Sequence, residues 1–290
     1  MKSKLLIKIM LILIVLCLIV IVYINANKKP NVLNDISNYR IYYRKIDEDI
    51  LKSMSSYDLN IVEGSFFDSD DVEYLNENGS KVVGYYSVME IGSWDADLIA
   101  KLDDMDYLKK DGVRVKSLSG SNYIGDISKC HFQDALIDSI SERVMAKGMN
   151  GVFLDTVDWI DYYQKDEILY PILLKGYGEF LEKLKARYPD IIVIQNRGIY
   201  AYENLSCRYV DGILWENFSS PYIEDDEEAI DRLKKVRSLS RRYNTAIFTI
   251  SFDEGHESED LSTKLGWVHL QSQMENRYSK WDIETHGNGE

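Results

Sequence analysis

From Asn31 onward the chain alternates short apolar runs with longer amphipathic ones, the pattern of strands and helices following one another in turn. The clearest run is Gly151-Val152-Phe153-Leu154-Asp155-Thr156-Val157-Asp158. Its apolar, partly β-branched centre predicts a buried strand, bounded by the glycine in front and the acidic, polar residues behind. A helix is expected before it over residues 132–147 and another after it over 171–186. That order predicts a parallel strand covered on both faces. The working edge of such a sheet is the carboxyl end of its strands, where Asp155 falls.

The same reading predicts further strands over 40–46, 59–63, 81–90, 191–196, 211–216, 245–252 and 267–271. Helices are expected over 47–54, over 69–76 with a cap at Ser69 or Asp70, once or twice within 95–110, near Tyr202, over 225–242 and over 261–265. Residues 113–126 are polar and rich in Gly and Ser, and read as a long loop, functional or disordered, rather than a core element. Eight β units with helices between them predict an α/β fold, a (β/α)8 TIM barrel spanning residues 31–290. A doubly wound open sheet is the alternative. The chain has neither a Gly-x-Gly-x-x-Gly after its first strand nor a Gly-x-x-x-x-Gly-Lys-Ser/Thr, so no cofactor of the dinucleotide or nucleoside triphosphate type is expected.

Residues 5–24 break the pattern, being apolar apart from Lys8, with Lys2 and Lys4 before them and Lys28 and Lys29 after. The run is long enough to cross a bilayer as a helix. Its length, and the poor cleavage site at Ile24-Asn25-Ala26, favour an uncleaved anchor over a cleaved signal. Residues 1–30 are therefore expected to be a membrane anchor or signal segment. The expected product is an extracellular domain tethered to the cell membrane, or a secreted one if the segment is cleaved; a cytoplasmic domain on the same tether is the other topology.

Residues 1–30 hold five lysines and no acid, so the formal charge of −14 for the whole chain becomes −19 for the rest. That excludes the basic footprint that nucleic-acid binding needs. It suits a neutral or cationic partner. Outside the apolar run only Cys130 and Cys207 remain, which could pair or stay reduced, and which make no disulfide framework. The 21 tyrosines are numerous, and their rings both pack at half-buried positions and stack on sugars.

Polar residues close most of the apolar runs: Glu63, Glu90, Asp155 with Asp158, Asn196 with Arg197, Glu216 and Asp253. In a barrel these converge on one mouth from distant points in sequence. Such acids also cap helices or face water, a reading that weighs as much as a site role for Glu63 and Asp253 and less for Asp155 and Glu216. Several carboxylates with Tyr85, Tyr86, Trp94, Trp159, Tyr162 and Trp215 around them fit a sugar-binding cleft. Two carboxyls flanking a glycosidic bond can divide the work, one protonating the leaving oxygen and the other attacking the anomeric carbon or activating water.

Four segments, 83–90, 151–158, 195–198 and 211–216, resemble in order the motifs of the endo-α-1,4-polygalactosaminidase-like glycoside hydrolases (family 114-like), and the resemblance spans about residues 38–275. It implies a TIM barrel, exported or membrane-associated, acting on galactosamine-containing exopolysaccharide. It also implies Asp155 and Glu216 as the catalytic pair and a matching role for Glu90. Met89 stands where many members have Gly, and Glu63 where they have Asp. The expected mechanism is hydrolysis of an internal α-glycosidic bond by Asp155 as nucleophile and Glu216 as general acid/base. Glu90, Asn196 and Arg197 would position the sugar, Tyr85 and Trp215 would wall the cleft, and Asp158 would be a loop or subsite residue. The competing functions are a noncatalytic carbohydrate-binding barrel, a metal-dependent hydrolase using Asp155, Asp158 and Glu216, and a membrane-tethered scaffold. The metal reading lacks support, since no His-x-His or His-Glu-x-x-His is present.

Overall fold

Eight of the apolar runs form one sheet in a computed structural model that describes residue 10 and residues 30–252, 256–273 and 278–281. The strands are β1 (Tyr39–Tyr42), β2 (Leu59–Val62), β3 (Lys81–Ser87), β4 (Gly151–Asp155), β5 (Ile192–Asn196), β6 (Gly212–Glu216), β7 (Ala246–Phe252) and β8 (Val268–Ser272). Neighbours in sequence are neighbours in the sheet, every pairing is parallel, and β8 returns to lie beside β1. The result is the nearly closed barrel of a TIM fold, as the alternation of runs predicts.

The chain divides into two units, residues 1–32 and 33–290, and the barrel belongs to the second. The expected anchor at 5–24 lies, but for Met10, outside the described residues, as does Asp253. Among the described residues no helix is long and apolar enough to cross a membrane.

The main helices are α1 (Glu48–Met54), α2 (Ser69–Glu77), α3 (Cys130–Arg143), α4 (Leu169–Arg187), α5 (Ile199–Asn204), α6 (Glu227–Tyr243) and α7 (Glu257–Leu265). Their ends follow local chemistry. Asp47 caps α1 by accepting from the Ile50 amide at 2.8 Å, and Asp226 caps α6 through the Ala229 amide at 3.0 Å. The cap of α2 is Asp68, one residue earlier than expected, because Asp68 and Asp71 each accept the other's backbone amide in a capping box.

Side-chain alternation splits the core in two. Tyr39, Ile41, Leu59, Ile61, Val83, Phe153, Ile194, Leu214, Phe248 and Ile250 fill the barrel. Residues of opposite parity, such as Val82, Val152, Leu154, Val193 and Ile213, pack outward under the helices. Cys207 is buried, Cys130 exposed, and both are free thiols.

The largest departure from the expected layout lies between β3 and α3. The strand expected over 81–90 stops at Ser87: the Val88 amide makes the last ladder bond, to the Asp155 carbonyl at 3.0 Å, and the next amides, of Met89 and Glu90, turn to the Thr156 hydroxyl. Glu90–Ile91 then pairs antiparallel with Tyr123–Ile124, and Lys109–Lys110 with Val113–Arg114. The supposed loop over 113–126 is thus a small ordered β excursion, and Ile124 and Asn122 within it are buried. Apolar residues too sparse to show a period still bury here because they are local pairs rather than barrel staves.

Candidate active site

Three strands deliver three polar side chains to one point. Phe153, Ile194 and Leu214 face the barrel interior, so the residues two places on, Asp155, Asn196 and Glu216, face its mouth on adjacent strands. Asn196 joins the carboxyls: its Nδ2 donates to Asp155 Oδ1 at 2.8 Å and to Glu216 Oε2 at 3.1 Å. The two bonded oxygens are therefore separated by at most the sum of those lengths, 5.9 Å.

Each carboxyl has a second donor, a phenol. Tyr85, one inward step below the end of β3, donates to Asp155 Oδ2 at 3.0 Å. Tyr278, beyond β8, donates to Glu216 Oε1 at 2.9 Å. Tyr43 sits between the two phenols, its ring centroid 4.9 Å from that of Tyr85 and 5.3 Å from that of Tyr278. Asp155 keeps some surface open at the mouth but is surrounded by protein, and this desolvation raises its pKa above the usual carboxylate range. The nearby Glu216 charge pushes the same way, while the donors Asn196, Thr156 and Tyr85 oppose both.

The turn after β4 is locked by Thr156. Its φ of 64° is rare for a β-branched residue, and it persists because the side chain is used four ways. The Thr156 hydroxyl donates to the Asp155 carbonyl at 2.6 Å, accepts the amides of Met89 at 2.9 Å and Glu90 at 3.3 Å, and lies 3.1 Å from Ser87 Oγ. The turn after β5 is locked from below by buried Gln195, whose Nε2 donates to the carbonyls of Arg197 and Gly198 at 2.8 and 2.9 Å. Arg197 and Gly198 both have positive φ, and a Cβ on Gly198 would meet Val157 Cγ1 at 2.8 Å.

Glu90 lies at the start of the β excursion and is held by two donors, Trp159 Nε1 and Asn122 Nδ2, each at 2.7 Å. It lines a pocket of about 370 Å³ with Leu118, Ser119, Asp158, Trp159 and Tyr162. Burial raises the pKa of Asp158, and Arg197, whose Nη1 is 3.4 Å from its Oδ2, opposes the rise. Tyr162 is 61% exposed beside this pocket and tilts against Trp159 at 5.2 Å. Such an exposed ring next to paired carboxylates is suited to a sugar face carrying hydroxyls or an amine.

Other expected site residues lie elsewhere. Trp215 has outward parity on β6 and packs on Phe218 and Trp267, with centroids 5.5 and 6.5 Å away, so it braces the outer core rather than walling the cleft. Tyr86 likewise points outward and is buried. Glu63 accepts the Ser65 amide at 3.1 Å and caps a 3-10 turn. Among the described residues, the His/Cys/Asp/Glu group with ligand atoms near enough to share a cation is Asp103, Asp106 and His131. None of Asp155, Asp158 and Glu216 belongs to it.

The donors Tyr278, Asn122 and Gln195 escape a reading of the sequence. The first follows the last strand, the second lies in the supposed loop, and the third is the buried neighbour of an expected residue. Trp159 was expected as a cleft aromatic, but its bond to Glu90 was not. Asn196→Asp sets a third acidic group between two, and kcat is expected to fall by about 10²-fold or more, as steady-state rates against wild type will show.

No family model and no curated protein matches this sequence. Solved structures do match its fold. The glycoside hydrolase domain of PelA from Pseudomonas aeruginosa is 20% identical, with 82% of this chain and 95% of that one covered and a TM-score of 0.64. A Glu-to-Ala variant of the same domain is 22% identical over the same shares, with a TM-score of 0.63. Aspergillus fumigatus Ega3, solved in complex with galactosamine, is 13% identical, with 88% and 98% covered and a TM-score of 0.63. The barrel fold implied by the family resemblance is thus the one this chain shares with these structures.

Proposed function

We propose that this chain is a glycoside hydrolase that cleaves internal α-glycosidic bonds in a galactosamine-containing polysaccharide. The observation that carries the reading is the Asp155–Asn196–Glu216 bridge at the ends of three adjacent strands. The likeness in fold to a glycoside hydrolase domain and to a galactosamine-bound protein supports it.

Asp155 acts as nucleophile. Tyr85 and Asn196 donate to its two oxygens and hold the carboxylate in place for attack on the anomeric carbon. The C–O bond to the leaving sugar breaks as Glu216 protonates that oxygen, leaving a glycosyl ester on Asp155. Glu216 then takes a proton from water, which attacks the same carbon and releases Asp155. Carboxyls about 5–5.5 Å apart favour this double displacement, whereas inverting pairs need about 6.5–9.5 Å. The oxygens that share Asn196 lie no more than 5.9 Å apart, which is compatible with the first geometry, and the anomer released decides between the two.

Glu90 and Asp158, with the Tyr162 ring, form the subsite next to the pair, and their charge suits a polymer bearing free amines. Arg197 fixes Asp158 at its rim. The apolar run at 5–24 supports a membrane tether with the barrel on the extracellular side, or a secreted barrel if the run is cleaved. Proton NMR of products during the first turnovers tests the chemistry. The α-anomer of the new reducing end is expected first, and initial release of the β-anomer overturns double displacement.

A further inference from the structure

The segment Tyr278–Trp281 follows the last strand, yet it reaches the most sensitive atoms of the barrel mouth. Its two ends do different things. Trp281 is an anchor: its Nε1 donates to Ser53 Oγ at 3.0 Å, its ring meets Tyr42 and Tyr57 edge-on at 5.4 and 5.7 Å, and Arg40 lies 5.3 Å over its face. Tyr278 is the working end. Its carbonyl accepts the Tyr43 amide at 2.8 Å, its ring packs on Tyr43 and on Phe252 at 5.3 and 6.0 Å, and its hydroxyl reaches Glu216 Oε1. Its φ of 61° places a bulky residue in the left-handed region. Strain of this kind persists where the surroundings over-determine it.

We propose that Tyr278 is a positioning residue for the glycosidase reaction, with Trp281 and the β1 side of the barrel holding it against Glu216. The inference rests on the function proposed above. Oε2 of Glu216 is taken by Asn196, so a second donor on Oε1 fixes the plane of the carboxyl, which one bond alone leaves free to swing. A phenol suits a group that must both give and take a proton. Its O–H donates to the carboxylate and can turn to accept when the carboxyl is protonated, which the Asn196 amide nitrogen cannot do. The arrangement also makes residues 278–281 part of the active site.

The test uses the full chain and three variants, Tyr278→Phe, Trp281→Ala and the double variant, with amine-bearing polysaccharide as substrate. Tyr278→Phe removes only the hydroxyl and keeps the ring. It is expected to lower kcat about tenfold with KM within about twofold and no loss of thermal stability, since the bond acts on orientation of the reacting group. The upper limb of the rate–pH profile, which belongs to the coupled carboxyl pair, is expected to move to higher pH because a donor to the ionised form is gone. Trp281→Ala is expected to lower kcat as well, and the double variant to lose no more than Tyr278→Phe alone, because the anchor acts through the phenol. Unchanged kcat and pH profile in Tyr278→Phe overturn the assignment while leaving the glycosidase reading standing. Losses that multiply in the double variant, or an equal fall in stability, reduce Tyr278 to a packing residue and overturn it too. A wild-type chain that hydrolyses nothing overturns the reading beneath it and this inference with it.

Discussion

Asp155→Asn and Glu216→Gln are each expected to lower turnover by about 10⁴-fold or more with substrate binding retained, because in the proposed mechanism each removes a group that acts on a reacting atom. Size and shape are kept; the single carbonyl oxygen of each new amide can still accept from Tyr85 or Tyr278, and Asn196, which loses one acceptor, keeps the other carboxylate. Thermal melts of the Asp155 variant separate chemistry from folding. The native pKa of Asp155 is raised, mainly by burial, so the fold favours its protonated form. Its contribution is complete below the unfolded carboxylate pKa, about 3.9, and is lost as pH rises through the native value. Asp161, which burial lifts to about 6, has the same sign, its loss falling between about 3.9 and that value. Asp155→Asn is neutral at every pH, so the inactive variant is expected to melt above wild type at pH 7 and to lose that advantage near pH 3. A variant that melts lower at pH 7 contradicts the assigned cause of the shift.

Gly151→Ala is expected to be the most damaging small change in the barrel. A Cβ there would sit 2.1 Å from the Ile192 carbonyl oxygen and 2.6 Å from Ile192 Cβ. The obstacle is the backbone of β5, bonded into the sheet on both sides, and it cannot turn aside as a flexible side chain would. Overpacking of this kind costs about 3 kcal/mol. For a domain of this size that lowers Tm by about 6–12 °C. Gly151 and Ile192 pair at the other end of β4 and β5 from Asp155 and Asn196, so the strain reaches the pair only along the strands and activity at temperatures where the variant stays folded should be close to wild type. A calorimetric scan beside rates at 20 °C below Tm checks both parts; a Tm within about 2 °C of wild type contradicts the packing argument.

The glycine marks how far the sequence could be read. Val152 to Leu154 announced a covered strand, and the period of two placed Asp155 on the inner face once the barrel was assumed. The same logic, applied at β5 and β6, brought Asn196 and Glu216 to it from 41 and 61 positions away. It also could have shown that Trp215, one residue before an inward Glu216, faces out, yet an aromatic beside a carboxylate invited the opposite reading. Side-chain parity decides here, not proximity along the chain.

What stayed hidden has a common physical cause. Asn122 and Tyr278 reach the site from segments with no hydrophobic period, so nothing local fixes where they go. Asn122 arrives because two-residue strands pair within the β excursion and leave its amide against Glu90. Tyr278 arrives because Trp281 is caught between Ser53, Tyr42 and Tyr57. Long-range contacts of this kind become visible only when the barrel has brought its strand ends together.

Release of reducing ends measures most directly whether the carboxyl pair bridged by Asn196 hydrolyses an amine-bearing polysaccharide. The barrel, residues 31–290, is incubated with partly deacetylated α-1,4-linked galactosamine polymer, with neutral polysaccharides alongside, and with Glu216→Gln as control. New reducing ends from the galactosamine polymer with wild type alone are the predicted result. Equal release by wild type and Glu216→Gln, or polymer bound without any release, would contradict it.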